Sequence, residues 1–283
     1  MPPSQAPHRR PAPAPSRRVP PARGPVRART TRAPGGEAAP GAGRVAIVTG
    51  GAGGIGRALL ARLGADGWRT VSWDLTADAP GADLALMADV TSAASLAAAA
   101  AETEARFGAP GALIVNAGIL GPVAPCWEPG EAEIRRVLDT NLLSAFLTLH
   151  AVVPMMLANP APALPGGGRG RIVLMSSVQA KEGTPLSGAY AASKAGLIAL
   201  AKTAGKELAP HGILVNAVTP TVVRTAMERA IDPARRADLL ARIPLGRFLE
   251  PEEVAAMVAF LCGPECSFST GAVFDLSGGR ATS

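Results

Sequence analysis

Tyr190 is the one tyrosine in a chain of 283 residues, and it opens the pentad Tyr190-Ala191-Ala192-Ser193-Lys194. On a helix, a spacing of four puts the phenol and the ammonium on one face about one turn apart. A protonated lysine beside a phenol favours the phenolate, so a group whose ordinary pKa is about 10 is drawn toward working pH and can serve as a general acid or base. The same spacing also suits a packed aromatic with a solvated lysine one turn on, so the pentad takes its meaning from its surroundings. No metal is expected: His8, His150 and His211 form no ligand cluster, and Cys126, Cys262 and Cys266 lack the spacing of a metal site or a disulfide framework.

A second chemistry-bearing stretch is Thr49-Gly50-Gly51-Ala52-Gly53-Gly54-Ile55-Gly56, directly after a β-branched run at 44–49. Glycines there permit a tight turn and let backbone N–H groups approach a pyrophosphate at the positive end of the following helix. A glycine-rich turn without a ligand is the competing reading. Eighteen residues past Gly56, Asp74 ends the next β-branched run. A carboxylate at that point accepts hydrogen bonds from an adenosine ribose and repels a 2′-phosphate, which selects NAD over NADP. Asp89 and Val90 can meet the adenine; equally, Asp89 can cap the helix that starts near Thr91.

These residues need strands and helices to hold them. Runs at 44–49, 69–74, 112–116, 170–176, 212–217 and 272–276 read as strands, with helices near 54–66, 92–107, 130–157, 188–209 and 251–263. Alternation of this kind predicts an α/β fold, a single Rossmann-type doubly wound parallel sheet with helices on both faces and its ligands beyond the carboxyl ends of the strands. Segment 158–169 is a loop by composition and receives no function.

Composition changes at residue 43. Residues 1–43 hold eight arginines, no lysine and the single acid Glu37, so they account for 8 − 1 = +7 of the formal net charge of +6, leaving 6 − 7 = −1 for the rest. The basic balance therefore belongs to the tail, and it argues nothing about nucleic-acid binding by the remainder. Rich in proline and poor in apolar side chains, the tail is expected to be disordered and dispensable, with non-specific contact to nucleic acid or anionic lipid as its minor alternative. Its Arg-Arg pairs are followed by no apolar stretch, which argues against export, and its prolines oppose the amphipathic helix of a transit peptide. The longest apolar run, 145–158, is interrupted by His150 and Pro154 and falls short of a membrane span. The expected compartment is a reducing cytoplasm.

From residue 44 onward the sequence resembles the short-chain dehydrogenase/reductase family. Thr49, Gly50, Gly54 and Gly56 match its T-G-x-x-x-G-x-G pattern, Asn116-Ala117-Gly118 its N-A-G element, and Asn141 its helix asparagine; Ser177, thirteen residues before Tyr190, matches its strand-end serine. The resemblance implies that Ser177 binds the substrate oxygen, Tyr190 exchanges a proton with it, Lys194 holds the nicotinamide ribose and lowers the tyrosine pKa, and Asn141 holds a water between Lys194 and solvent. Taken singly, Ser177 can be a strand-end cap, Asn141 a helix kink and Lys194 a surface charge. The resemblance also implies NAD contacts from Gly50, Gly54, Ile55, Gly56, Asp74, Asp89, Val90, Asn116, Ala117, Gly118, Tyr190, Lys194, Pro220, Val223 and Thr225. Two departures stand out. Val115 replaces the first asparagine of the usual N-N-A-G, and Thr221 replaces the glycine that commonly follows Pro220.

Specificity is expected in residues 221–250, with Gln179 and its neighbours and residues 119–127. The strings 219–225 and 274–282 resemble enzymes that oxidise 2-keto-3-deoxy sugar acids, and a 3-oxoacyl-thioester reductase is the alternative. Arg224 is expected either to bind a substrate carboxylate bidentately or to pair with a carboxylate of the protein such as Glu228. A non-catalytic NAD-binding protein that reaches nucleic acid through its tail is a further alternative, against which Ser177, Tyr190 and Lys194 count together. The apolar ending 272–276 resembles the segment through which family members assemble, so a homo-oligomer, tetramer or dimer, is expected.

Overall fold

The computed structural model describes residues 28–29, 44–159, 168–229 and 232–281. The sheet is built of β2 (Val45–Thr49), β3 (Arg69–Asp74), β4 (Leu84–Met87), β5 (Ala112–Val115), β6 (Gly170–Met175), β7 (Ile213–Pro220) and β8 (Val273–Leu276), all parallel, with a two-residue strand β1 (Ala28–Arg29) antiparallel on the β4 edge. The order β1-β4-β3-β2-β5-β6-β7-β8 reverses direction between β2 and β5. At that switch point the carboxyl ends of two neighbouring strands diverge and leave a crevice, where ligands of such sheets bind.

The strands read as unbroken apolar runs because both faces are covered. On one side, Leu96 and Ala99 of α2 (Ala93–Phe107), Val152 and Met156 of α4 (Ser144–Ala158) and Leu197 and Ala201 of α6 (Gly188–Leu208) pack on Ile47, Leu113 and Leu174. On the other, Leu59 and Leu63 of α1 (Gly54–Ala65) and Val254 and Val258 of α9 (Pro251–Cys262) pack on Ala46, Ile114 and Val173. Trp73 is fully buried and still satisfied, its Nε1 donating to Thr103 Oγ1 at 3.1 Å. Each large side chain so buried stabilises the fold by about 1.5–3 kcal/mol.

The expected strands and helices all form, with differences that matter at the site. Residues 84–87, expected only as a short run, are a full parallel strand beside β3. β7 runs on through Pro220 in register with β8, and Val178 N donates to Pro220 O at 2.9 Å, so the missing glycine costs no bend there. The helix expected at 130–157 is α3 (Glu131–Leu138), a π-helical turn Asp139–Leu143 and α4 in succession. This 28-residue run is long and apolar enough to cross a membrane by length and composition, yet Val152, Met155 and Met156 of α4 are buried in the core. Between β6 and α6 lies α5 (Gln179–Glu182), and the expected substrate loop carries α7 (Ala226–Arg229) and α8 (Pro233–Ala241). Of the tail, only Ala28–Arg29 falls within the described residues; the rest, and residues 160–167 of the loop expected at 158–169, lie outside them.

Candidate active site

The switch point is fastened by one hydroxyl. Thr49 Oγ1, at the end of β2, accepts from the backbone N–H of Asn116 at 2.9 Å and of Ala117 at 3.1 Å, just past β5. Asn116 Nδ2 returns to the carbonyls of Thr49 at 3.0 Å and Gly50 at 3.2 Å. The remaining asparagine of the motif thus bridges the strands, and Val115 in place of the other is buried in β5. Gly50 has φ +68°, a left-handed conformation that glycine adopts without strain, and a Cβ on Gly56 would lie 2.1 Å from Gly50 O, so both positions require glycine. Asp74 sits beside this turn with Oδ2 accepting from Ala52 N at 3.0 Å. Asp89 Oδ1 accepts from Thr91 N at 2.9 Å and Thr91 Oγ1 at 2.7 Å, while Ser92 caps α2. Asp89 therefore stabilises the turn before the helix; exposed beside buried Val90, it keeps a second carboxylate oxygen.

The four catalytic candidates converge from three elements. Tyr190 and Lys194 are one turn apart on α6, Ser177 follows β6, and Asn141 lies in the π-helical turn. Tyr190 and Ser177 line the same cavity, where the serine hydroxyl acts to lower the phenol's pKa, and Ser177 Oγ accepts from Gln179 N at 3.2 Å. Lys194 Nζ lies 5.7 Å from the centre of the tyrosine ring and donates to Met175 O at 2.7 Å. Asn141 Oδ1 accepts from Ile119 N at 2.8 Å, and its Nδ2 donates to Ile119 O at 2.9 Å and to Ser193 Oγ at 3.0 Å. The widened helical turn and the asparagine function together: the turn aims the amide at the strand β5 exit.

The expected lowering of the tyrosine pKa is corrected. Burial raises Tyr190 above its ordinary value, partly offset by the Ser177 hydrogen bond, and burial pushes Lys194 down to about 8. The ammonium lies over the ring face, not at the phenol oxygen, and both groups are withdrawn from water, so desolvation outweighs their attraction.

A cavity of about 550 Å³ opens over these residues. One wall, beside the glycine turn, includes Ile55, Asn116, Gly118, Pro220, Val223 and Thr225. A Cβ on Gly54 would meet Thr225 Cγ2 at 2.7 Å, which puts the threonine directly above the glycine turn. The outer wall brings Gln179 together with Val123, Thr221, Val222, Glu228, Asp232, Arg235, Leu239 and Arg280. Arg224 is not on this wall. Its N–H donates to Leu249 O at 2.8 Å and its guanidinium pairs with Glu250 at 3.1 Å, while Glu228, the carboxylate expected opposite it, pairs with Arg236. Val223 and Thr225 both line the cavity, and in extended chain the residue between them faces the other way. Sequence reasoning missed Arg235 and Arg280, which α8 and the chain end bring to the cavity across long sequence separations.

A crevice at the switch point, a glycine turn open to a pyrophosphate and a tyrosine-lysine-serine cluster beside it define a dinucleotide-dependent oxidoreductase site. The chain belongs to the short-chain dehydrogenase/reductase family, with a family model described as enoyl-(acyl carrier protein) reductase matching residues 50–281. It is 43% identical over 248 residues to 2-dehydro-3-deoxy-L-rhamnonate dehydrogenase (NAD(+)) of Sphingomonas sp. (strain SKA58), covering 85% of this chain and 96% of that one. It is 34% identical over 245 residues to the 3-oxoacyl-(acyl-carrier-protein) reductase of Escherichia coli (strain K12), covering 84% and 97%. Among solved structures it is similar to a 3-ketoacyl-(acyl-carrier-protein) reductase from Brucella melitensis complexed with NADH, at a TM-score of 0.76 and 28% identity over 85% of this chain and 99% of that one. Levodione reductase is similar too, with a TM-score of 0.76 and 30% identity over 84% and 97%.

Proposed function

We propose that this protein is an NAD-dependent dehydrogenase that interconverts a secondary alcohol and a ketone on a small polar substrate, with a sugar acid as the preferred class. The observation that carries the reading is the convergence of Tyr190 and Ser177 on one cavity wall, with Lys194 behind the ring. The residues fit a dinucleotide: the bare backbone of Gly50, Gly54 and Gly56 leaves room for the pyrophosphate, Asp74 stands where a ribose diol is held, and Asp89 and Val90 border the adenine position. Ile55, Asn116, Ala117, Gly118, Pro220, Val223 and Thr225 enclose the nicotinamide end. When bound, the nicotinamide supplies the hydride acceptor or donor that protein side chains lack.

Ser177 holds the substrate oxygen and Tyr190 exchanges a proton with it. Lys194 holds the ribose hydroxyls, and Asn141, by fixing Ile119 and Ser193, keeps a water path to that amine. Because burial keeps Tyr190 protonated at neutral pH, it is poised as a donor for carbonyl reduction; alcohol oxidation needs the phenolate and is favoured as pH rises. The Sphingomonas relative supports the sugar-acid class. A 3-oxoacyl-thioester reductase is the second reading, favoured by the apolar wall of Val123, Val222 and Leu239.

Exposed Phe146 on α4 and Phe260 on α9 support a homo-oligomer, tetramer or dimer, and the free cysteines Cys126, Cys262 and Cys266 suit a cytoplasmic location. Residues 1–43 are a dispensable extension in this reading, and any nucleic-acid contact is confined to their arginines. The test is NADH formation by the purified protein over sugar acids, neutral secondary alcohols and 3-hydroxyacyl thioesters. Turnover of the thioesters alone sinks the sugar-acid reading, and no turnover of any class sinks the enzyme.

A further inference from the structure

We propose that Arg235, on α8, is the anchor for the substrate carboxylate, and that Gln179 and Thr221 complete the subsite by reading substrate hydroxyls. The inference rests on the sugar-acid reading above and names the residues that impose it.

Elimination among the charged groups of the cavity leads to Arg235. Lys194 is committed to Met175 O and lies behind the tyrosine. Arg280, almost wholly buried, donates from Nε and Nη2 to Glu182 at 2.7–3.1 Å and from Nη2 to Thr184 Oγ1 at 3.3 Å, so its charge is neutralised within the protein. Glu228 is paired with Arg236. Asp232 caps α8, its Oδ1 accepting from Ala234 N at 3.0 Å and Arg235 N at 3.2 Å. Arg235 alone of these cations lines the cavity with its guanidinium making no hydrogen bond or ion pair among the described residues, and it is half-buried there.

Two further atoms on the same wall lack partners. Gln179 Oε1 and Thr221 Oγ1 are buried and make no hydrogen bond, and Thr221 is only 8% exposed. A buried polar atom left unpaired is costly, and such groups in native structures ask for an explanation. An unpaired guanidinium, an amide oxygen and a hydroxyl around one volume match a hydroxylated carboxylate: the cation takes the acid bidentately, the amide oxygen accepts from a hydroxyl, and Thr221 donates or accepts at another. An aliphatic acyl chain would leave all three unsatisfied, and sites built this way reject analogues that lack the polar group.

The test compares 2-dehydro-3-deoxy-L-rhamnonate with its carboxamide, which keeps the hydroxyls and loses the charge, following NADH formation. For Arg235→Met, KM for the acid rises about ten- to hundred-fold while kcat changes little and the carboxamide constants hardly move. Arg235→Lys recovers part of the acid KM. In the wild type, KM for the acid rises with ionic strength and that for the carboxamide does not, a measurement that needs no variant. Equal effects of Arg235→Met on acid and carboxamide, or a salt-independent acid KM, overturn the anchor while leaving the dehydrogenase reading intact. A wild-type enzyme that ignores both compounds and oxidises a 3-hydroxybutyryl thioester overturns the sugar-acid reading and the anchor together.

Discussion

At the glycine turn, polar groups are matched within the protein: Thr49 serves two backbone amides, Asn116 two carbonyls, and Asp74 the Ala52 amide. At the other end of the cavity, Gln179 Oε1 and Thr221 Oγ1 are buried without partners and Arg235 has no counter-ion among the described residues. One half is braced by its own bonds before any ligand arrives, with Ser72 Oγ against Gly51 as the buried polar atom left over; the other holds unspent hydrogen-bonding capacity. The contrast teaches where recognition resides. A cofactor common to many enzymes can be held by backbone geometry that every member of a fold shares, whereas a particular substrate is read by side chains that only it satisfies.

Between the two halves sits the proton donor, and its removal tests the division most severely. Tyr190→Phe takes away one oxygen and is expected to lower kcat by about 10²- to 10⁴-fold. Binding of NADH, followed by its fluorescence, should remain within a few-fold of wild type, and its loss would mean that the halves are not separable. Asp74→Ala acts on the cofactor half alone. It is expected to shift the ratio of NAD to NADP efficiency by about ten- to hundred-fold toward NADP, the scale of a charge-assisted hydrogen bond gained or lost. An unchanged ratio would place cofactor choice elsewhere.

Lys194 gives a stability signature that a solvated lysine would not. Its pKa is lowered from 10.5 to about 8 by burial, so between those values the unfolded chain binds more protons and native stability rises with pH; below about 8 the native state carries a penalised charge. The Tm of Lys194→Met minus that of wild type is therefore expected to be most favourable near neutral pH and to fall as pH climbs through that window. A gap independent of pH would show that the amine is not desolvated. The smallest effect is expected from Arg224→Met, which removes a half-exposed ion pair with Glu250 of the kind worth about 0–1 kcal/mol. Its KM values for the acid and for the carboxamide should stay within about two-fold of wild type on that basis, and a selective rise for the acid would return the anchor to position 224.

Much of this was legible in the residues because the forces are local. The glycine turn, the helix that follows and the i, i+4 pair on α6 depend on neighbours in sequence, and so do the apolar runs of the sheet. What was not legible depends on distance through the fold. Arg235 and Gln179 lie 56 positions apart and meet only because α8 folds across the cavity mouth. Of the two expectations for Arg224, pairing with a carboxylate of the protein is the one the fold meets, with Glu250 in place of Glu228, a partner 26 residues on that the bridge of Val223 to Leu249 brings beside it. The tyrosine pKa was read from charge alone, and the sequence carries no measure of how much water burial removes.

The double contact of Arg280 with Glu182, joined by that of Lys181 with Asp275, ties α5 to the segment from Asp275 to Arg280. Gln179 and the backbone that follows Ser177 are thus steadied from a segment 98 positions away in sequence. The glycine turn and the early strands hold together by bonds among residues 45–117, but the substrate wall depends on Asp275 and Arg280. Loss of the Arg280 guanidinium should therefore leave a protein that folds and holds its dinucleotide yet turns over poorly, so that one ion pair far from the reacting oxygen becomes a condition of activity.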